Sequence, residues 1–321
     1  MDCSKILYIG STGTGKTFKM KQDICKLSND FNNQIFIFDF YNEYKQHSLQ
    51  LMGKDISFVK NNITINPFDL YVENFVEDIV YKFDFISTFL EIIINRQLSH
   101  VERSYIDEYL RILYIPYIKE LKNKNFFIDR SICPTIVDFH NLIKDVEVLN
   151  DIYLALEIFT VGSFKIFDKT NFDTNNLVVR YDFSNLNDSL IRLVSFCCAE
   201  DFALRTKENS KVGIKSNLFI ENLDIIRNNF SISYFDYIWR KTRLNRAAIY
   251  ANIMCIEDYF KNKENCTVIM TADLINVFKL SKFELKEMSI FFKLDNEKIE
   301  EISNLRLGEC CTLWFNHSVF L

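Results

Sequence analysis

Glycine and proline are scarce, at 7 and 3 of 321 residues. That excludes a collagen-like or Pro/Gly-rich disordered chain, and it makes each glycine informative, because few positions are free to take a left-handed turn. Histidine (4) is also rare, none lies near a cysteine in metal-ligand spacing, and no Cys-x-x-Cys pair occurs. These absences argue against a zinc module. Nine cysteines are an odd count, and the adjacent pairs Cys197-Cys198 and Cys310-Cys311 fit no disulfide ladder; reduced, buried thiols of a cytosolic protein are expected. The longest apolar stretch, Phe85 to Ile94, contains Glu91 and is too short to span a bilayer. No signal-peptide pattern precedes the first strand-like run, so the expected location is the cytoplasm, with membrane association only through partner proteins. A Lys/Arg-rich tail is missing and the net charge is −5, which argues against a generic nucleic-acid coat protein and leaves room for a local basic site.

What is present fits a globular protein: 48% hydrophobic and 25% charged residues, enough for one large domain or two small ones. The 31 Phe and 15 Tyr fit a very full core, a large interaction surface, or the drift of an AT-rich genome.

Along the chain, Lys5–Ile9 and Gln34–Phe40 are apolar runs of strand type, with a helix from Gly15 to about Leu27 between them. Phe58–Ile65 is expected to hold one or two short strands, closed by Asn66-Pro67. From about residue 71 to 160 the spacing is helical, over Val76–Asn95, Val101–Lys122, Thr135–Lys144 and Asp151–Phe159, with Pro134 marking a helix start. Strand and helix then alternate again: strand Leu177–Phe183, helix Asp188–Lys207 capped by Asn187 or Asp188, strand Asn217–Ile220, helix Asp236–Arg246, strands Ala247–Asn252 and Cys266–Thr271, helices Glu284–Phe291 and Glu297–Leu305, and strand Cys310–Phe315. This alternation predicts an α/β fold with a mostly parallel sheet covered on both faces. The expected division is a core from 1–70 and 161–321, interrupted by an all-helical insertion over 71–160.

Gly10-Ser11-Thr12-Gly13-Thr14-Gly15-Lys16-Thr17 matches GxxxxGK[ST] in full, after a strand-like run and before a helix. Glycines let such a loop wrap around phosphates with its N–H groups turned inward, and the helix N-terminus adds a positive dipole end. Lys16 is expected to reach the β- and γ-phosphates and Thr17 to place its hydroxyl on Mg2+. No guanine-specific NKxD signature follows, so ATP is the expected nucleotide.

A phosphate-cleaving site of this kind also needs a carboxylate at a neighbouring strand end, to hold the Mg2+ shell or polarise water. Asp39, Asp182 and Glu221 all qualify, and spacing does not choose among them; each also suits a structural strand-end cap. Glu43 is a further candidate for positioning water, or a solvated loop residue. Arg240, Lys241, Arg243 and Arg246 share one predicted helix and read either as a solvated basic face or as an arginine finger for a neighbouring subunit. Asn252, ending the AAIYAN strand, suits a γ-phosphate sensor or a helix cap.

Taken together, these segments resemble the C-terminal ATPase domain of type IV secretion and conjugation traffic ATPases, in the HerA/FtsK-like branch of RecA-like P-loop motors. IFIFDFYNEY is similar to the family's strand-two pattern and maps it onto Asp39, Glu43 and Tyr44. ITINPFD (63–69) resembles the Asn-Pro segment before the family's helical insertion. PTIVDFHNLI, VGSFKIFD and NLVVRYDFSNL resemble its return to the sheet, with Gly162 and Phe167 matching. The closing SKFELKEMSIFFKLDNEKIEEISNLRLGEC matches at Gly308-Glu309.

The resemblance also exposes departures. The family's Walker B Asp-Glu stands here as Glu221-Asn222, and its Thr-Gln as Ala251-Asn252; its Arg-Lys is kept as Arg240-Lys241. The implied site therefore retains its nucleotide-holding parts, with Thr17 and Glu221 as metal ligands. Its water-activating parts are altered, leaving Glu43 or Asp224 to supply a missing acid. Because the P-loop begins at residue 10, the family's N-terminal docking domain is expected to be absent or separately encoded.

Three functions follow from this. One is an ATP- and Mg2+-dependent motor of a conjugation or secretion system, acting as a hexameric ring whose sites are completed by Arg240 or Arg243 of a neighbour. Another is a DNA translocase for packaging or segregation. The third is a nucleotide-gated structural subunit with little turnover.

Overall fold

A computed structural model describes residues 4–58, 62–124, 126–226, 232–241, 246–254, 256, 259 and 266–314. Eight strands form one sheet: β1 (Lys5–Ile9), β2 (Asn33–Asp39), β3 (Lys54–Ser57), β4 (Val178–Asp182), β5 (Lys215–Ile220), β6 (Ala247–Ile253), β7 (Leu274–Val277) and β8 (Cys311–Trp314). Their order is β3-β4-β2-β5-β6-β1-β7-β8. Every pair is parallel except β7 with β8.

The central strands are apolar on both sides because helices cover both faces. Alternation sends Ile6 and Tyr8 to one face, with Ile35, Ile37 and Phe219, against Met20 and Ile24 of α1 (Lys16–Ser28). Leu7, Ile9, Phe36 and Phe38 face the other way, into a larger core. There Phe36 meets Phe202 of α7 (Asp188–Lys211) edge-on at 5.3 Å.

The short α2 (Lys45–Gln50) joins β2 to β3; between β3 and β4 the chain runs through α3 (Phe75–Ile94), α4 (His100–Lys124), α5 (Ile136–Leu142) and α6 (Asn150–Thr160). Pro134 stands before a complete capping box, Thr135 with Asp138, that opens α5. Two buried ionic clusters tie this segment to α7. Lys82 of α3 donates to Glu200 at 2.6 Å, and Tyr81 donates to the same carboxylate at 2.6 Å. One residue on, Asp201 binds Arg130 and Tyr181, while Arg130 reaches Asp69 at 3.3 Å.

After β5 come α8 (Leu223–Ile226) and α9 (Ile232–Lys241); after β6 come α10 (Cys266–Met270) and, past β7, α11 (Lys282–Phe292) and α12 (Asn296–Ser303).

Three sequence expectations are corrected. Cys266–Thr271 is not a strand: 266–270 is helical, and the place beside β1 goes to Leu274–Val277, anchored where the Asp273 carboxylate accepts from the Ser4 and Lys5 amides at 2.9 and 3.1 Å. The described part of Phe58–Ile65 contains no strand; the strand is the preceding Lys54–Ser57, an edge strand whose Lys54 and Asp55 hide its pattern. The helix expected at Asp236–Arg246 is described over Ile232–Lys241, starting before Asp236; 242–245 lie outside the described residues, and Arg246, at φ 51°, is a turn residue and not helical.

Candidate functional site

β1 ends at Ile9, and the loop from Gly10 leads into α1. Gly10 passes so close to the end of β7 that a Cβ there would lie 2.6 Å from Phe278 Cβ. Gly13 (φ 78°) and Gly15 (φ 107°) take the left-handed turns that wrap the loop. Gly15 is the N-cap of α1, no side chain caps the helix, and its first turn carries no acid. The free first-turn amides and the positive dipole end are thus left for an anion.

Lys16 is 4% exposed. Its Nζ donates to the carbonyls of Gly10 (2.5 Å) and Ser11 (2.9 Å). Burial lowers its pKa, opposed by the Glu284 carboxylate. Thr14 Oγ1 donates to Ser11 O at 2.7 Å. Thr12 and Gly13 form the exposed tip, and Thr17 is half-buried beside Lys16. The eight motif residues therefore form one loop closed on its own lysine.

Register places the other groups beside it. Tyr8 pairs with Asn252, and Ile220 with Ala251, so Glu221 stands level with Asn252 across β5 and β6. On β2, Phe38 pairs with Ile220, which sets Asp39 level with Glu221. By alternation all three point to the face that carries α1.

Their partners separate the three strand-end acids. Asp39 is fully engaged: Oδ2 accepts from Arg180 Nε (2.6 Å) and Tyr44 N (3.0 Å), and Oδ1 from Glu43 N (3.0 Å). Asp182 Oδ1 accepts from Ser184 N and Oγ at 3.1 and 2.7 Å and lies 3.5 Å from Arg180 Nη2, so it too is occupied. Glu221 uses only Oε2, which accepts from the amides of Phe40 (2.6 Å) and Tyr41 (3.0 Å). Its Oε1 is buried with no partner, as is Asn252 Oδ1. Burial first, then the Asp39 charge, pushes the Glu221 carboxyl up to about 8, against the pull of those two amides. A buried, half-satisfied carboxyl level with an unpartnered amide oxygen is a ready site for a cation.

The remaining expected residues are placed as follows. Glu43 lies on the exposed loop after β2, close enough to add to the charge acting on Glu221. Asn222 donates to Tyr41 OH and accepts from Asp224 N, both at 3.0 Å. Asp224 accepts from Met254 N (3.2 Å) and Tyr259 OH (2.7 Å), so it ties β5 to β6 and does not stand ready as a base. Arg240 is exposed on α9; Arg243 lies outside the described residues.

Two further groups touch the loop. Gly308 N donates to Thr14 O at 3.0 Å, and a Cβ on Gly15 would lie 3.0 Å from Gly308 Cα, so the Gly308-Glu309 segment rests on the P-loop. Glu284 accepts from Ser11 Oγ at 2.8 Å. Sequence reading missed Glu284 in this role, because it is also the capping-box partner of Ser281 and that pattern accounts for it fully. Arg180 was likewise overlooked, although an arginine in the middle of LVVRYDF is a visible anomaly in a buried strand.

A strand, a glycine-turned phosphate loop and an uncapped helix at the carboxyl end of a central strand of a mostly parallel sheet define the P-loop class. Residues 5–127 match the family model described as helicase HerA, central domain. VirB4 of Thermoanaerobacter pseudethanolicus superposes with TM-score 0.79 at 13% identity, over 97% of this chain and 86% of that one. The bacterial conjugative coupling protein TrwB superposes with TM-score 0.56 at 13% identity, over 97% and 82%. TrwB has also been solved with ADP and Mg2+, at TM-score 0.52 and 14% identity over 94% of this chain and 80% of that one. Comparison with curated proteins gives no sequence match. The chain has the RecA-like α/β fold shared by VirB4 and TrwB, and its first part, 5–127, is similar to the HerA central domain.

Proposed function

We propose that this chain is an ATP-binding motor subunit of a conjugation- or type IV secretion-like system, with a core formed by 1–70 and 161–321 and a helical insertion over 71–160. The observation that carries the reading is the pairing of an uncapped phosphate loop with a buried, half-satisfied Glu221 at the same carboxyl-end side of the sheet. The residues fit a magnesium nucleotide. Loop amides and Lys16 meet the phosphates, Lys16 exchanging the Gly10 and Ser11 carbonyls for phosphate oxygens. Thr17 and Glu221 Oε1 would supply oxygen ligands to the ion, and Asn252 would serve as the sensor of the terminal phosphate. Bound Mg2+ would neutralise charge on the phosphate oxygens.

Hydrolysis is slow in this reading, since Asn222 accepts no proton and Asp224 is occupied; Glu43 is left as the acid that orients water. The subunit acts in a hexameric ring in the cytoplasm, where Arg240 or Arg243 of one copy completes the site of the next. It reaches a membrane only through partner proteins of the secretion machinery. No helix among the described residues is long and apolar enough to cross one.

Two observations favour alternatives. The HerA match supports a DNA translocase, and the tied-down Asn222 supports a nucleotide-gated subunit with almost no turnover. ATP turnover with and without duplex DNA, alongside the mass of the assembly with and without MgATP, separates the three. The motor reading expects Mg2+-dependent oligomers and slow turnover insensitive to DNA. Strong, salt-sensitive stimulation by DNA selects the translocase, and oligomers without turnover select the gated subunit. Failure to bind ATP at sub-millimolar concentration rejects all three.

A further inference from the structure

We propose that Arg180 is a positioning residue for the magnesium-nucleotide site, acting through the loop 40–44; this rests on the nucleotide reading above. Arg180 sits on β4, two strands from β5, and is 1% exposed. Its guanidinium donates to three acceptors and also lies 3.5 Å from a fourth, Asp182 Oδ1. Nε donates to Asp39 (2.6 Å), Nη1 to Asp55 on β3 (2.8 Å) and Nη2 to Asn42 Oδ1 (2.6 Å).

The consequence falls on five consecutive residues. Asn42 stands at φ 62°, a left-handed conformation that a side-chain anchor helps to hold. Glu43 N and Tyr44 N donate to Asp39, the acid Arg180 grips. The two residues before them, Phe40 and Tyr41, donate their amides to Glu221 Oε2. One half of the loop is thus fixed by the Arg180–Asp39 pair, and the other half fixes the Glu221 carboxylate. With Oε2 held, Oε1 is the oxygen left to a metal ion. The same loop presents Glu43.

A planar fork satisfies three acceptors at once, and an ammonium does not. Arg180→Lys keeps the positive charge beside buried Asp39, so the carboxylate stays paired, but it releases Asn42 or Asp55. Asn42→Gly accepts φ 62° and removes a single anchor of the fork.

The test uses the full chain and a fluorescent ATP analogue, titrated with and without Mg2+. The readout is the Mg2+ gain, the ratio of Kd without Mg2+ to Kd with it; thermal unfolding monitors folding. Arg180→Lys is expected to bind the Mg2+-free nucleotide within about twofold of wild type and to lose about tenfold or more of the gain, the usual cost of releasing a residue behind a metal ligand. Asn42→Gly is expected to lose an intermediate share. An unchanged gain in both variants overturns the proposal. So does equal loss of binding with and without Mg2+, which marks a merely structural role. If Arg180→Lys does not fold, Asn42→Gly decides alone. A wild type that binds no nucleotide fails at the earlier reading and takes this one with it; one that binds without any Mg2+ gain removes the metal role of Glu221 and overturns this inference alone.

Discussion

Glu221 is the residue on which the chemistry turns, and its environment makes it measurable. Burial and the Asp39 charge raise its carboxyl to about 8, so in the folded protein without nucleotide the protonated form is favoured at neutral pH. The unfolded chain loses that proton near the ordinary glutamate value of roughly 4.3. The unfolded state therefore binds fewer protons between these limits, and this group's contribution to stability falls as pH rises from about 4.3 towards 8. The nucleotide-free protein is expected to lose melting temperature between pH 6 and 9, and Glu221→Gln to lose distinctly less; equal losses would remove Glu221 as the cause. Its neighbour Asn222 offers a second check. Asn222→Glu is expected to raise ATP turnover by about tenfold or more, within the usual range for a restored general base. No gain would place the deficit elsewhere. The P-loop was legible in the sequence because its residues are contiguous. The selection of Glu221 over Asp39 and Asp182 was not, because it depends on Arg180, Tyr44 and Ser184 filling the competing oxygens.

Among the elements, α7 joins sheet and helical segment. Its adjacent acids Glu200 and Asp201 receive Lys82 from α3 and Arg130 from the chain before α5. Lys82 and Glu200 are 0% and 3% exposed at their side chains, so neither has water to fall back on. Lys82→Met leaves a buried carboxylate without its cation and is expected to cost about 3–5 kcal/mol. Adding Glu200→Gln is expected to recover part of that, which chemical denaturation of the single and double variants measures. Additive losses would show that the pair does not bolt the segment down. The long helices here were readable from periodicity, since each repeats its apolar face over several turns. Cys266–Met270 misled because four apolar residues and a threonine, three of the five β-branched, suit a buried strand as well as a helix turn, and the choice is made by the pairing of Leu274–Val277 with β1.

For the whole molecule, the sheet order places the P-loop, Asn252 and Glu221 at the carboxyl ends of the adjoining central strands β1, β6 and β5, while Arg240 stands exposed on α9. Large apolar side chains also remain exposed on the elements next to the P-loop: Phe18 of α1, Phe283 of α11 and Leu307 beside Gly308. A ring of copies would cover such groups. MgATP is accordingly expected to shift the purified protein from monomer to a larger species by light scattering. Arg240→Ala is expected to leave nucleotide affinity within about twofold and to reduce turnover at least tenfold, as loss of an arginine finger does; unchanged turnover would assign Arg240 to the solvated face. The most direct measurement of the central claim is equilibrium binding of a fluorescent ATP analogue, in the presence of Mg2+, to wild type and to Lys16→Ala. Saturable binding by wild type, weakened about a hundredfold or more when the buried ammonium is removed, is the expected result. Equal affinity of the two proteins, or no binding by wild type at sub-millimolar nucleotide, would contradict it.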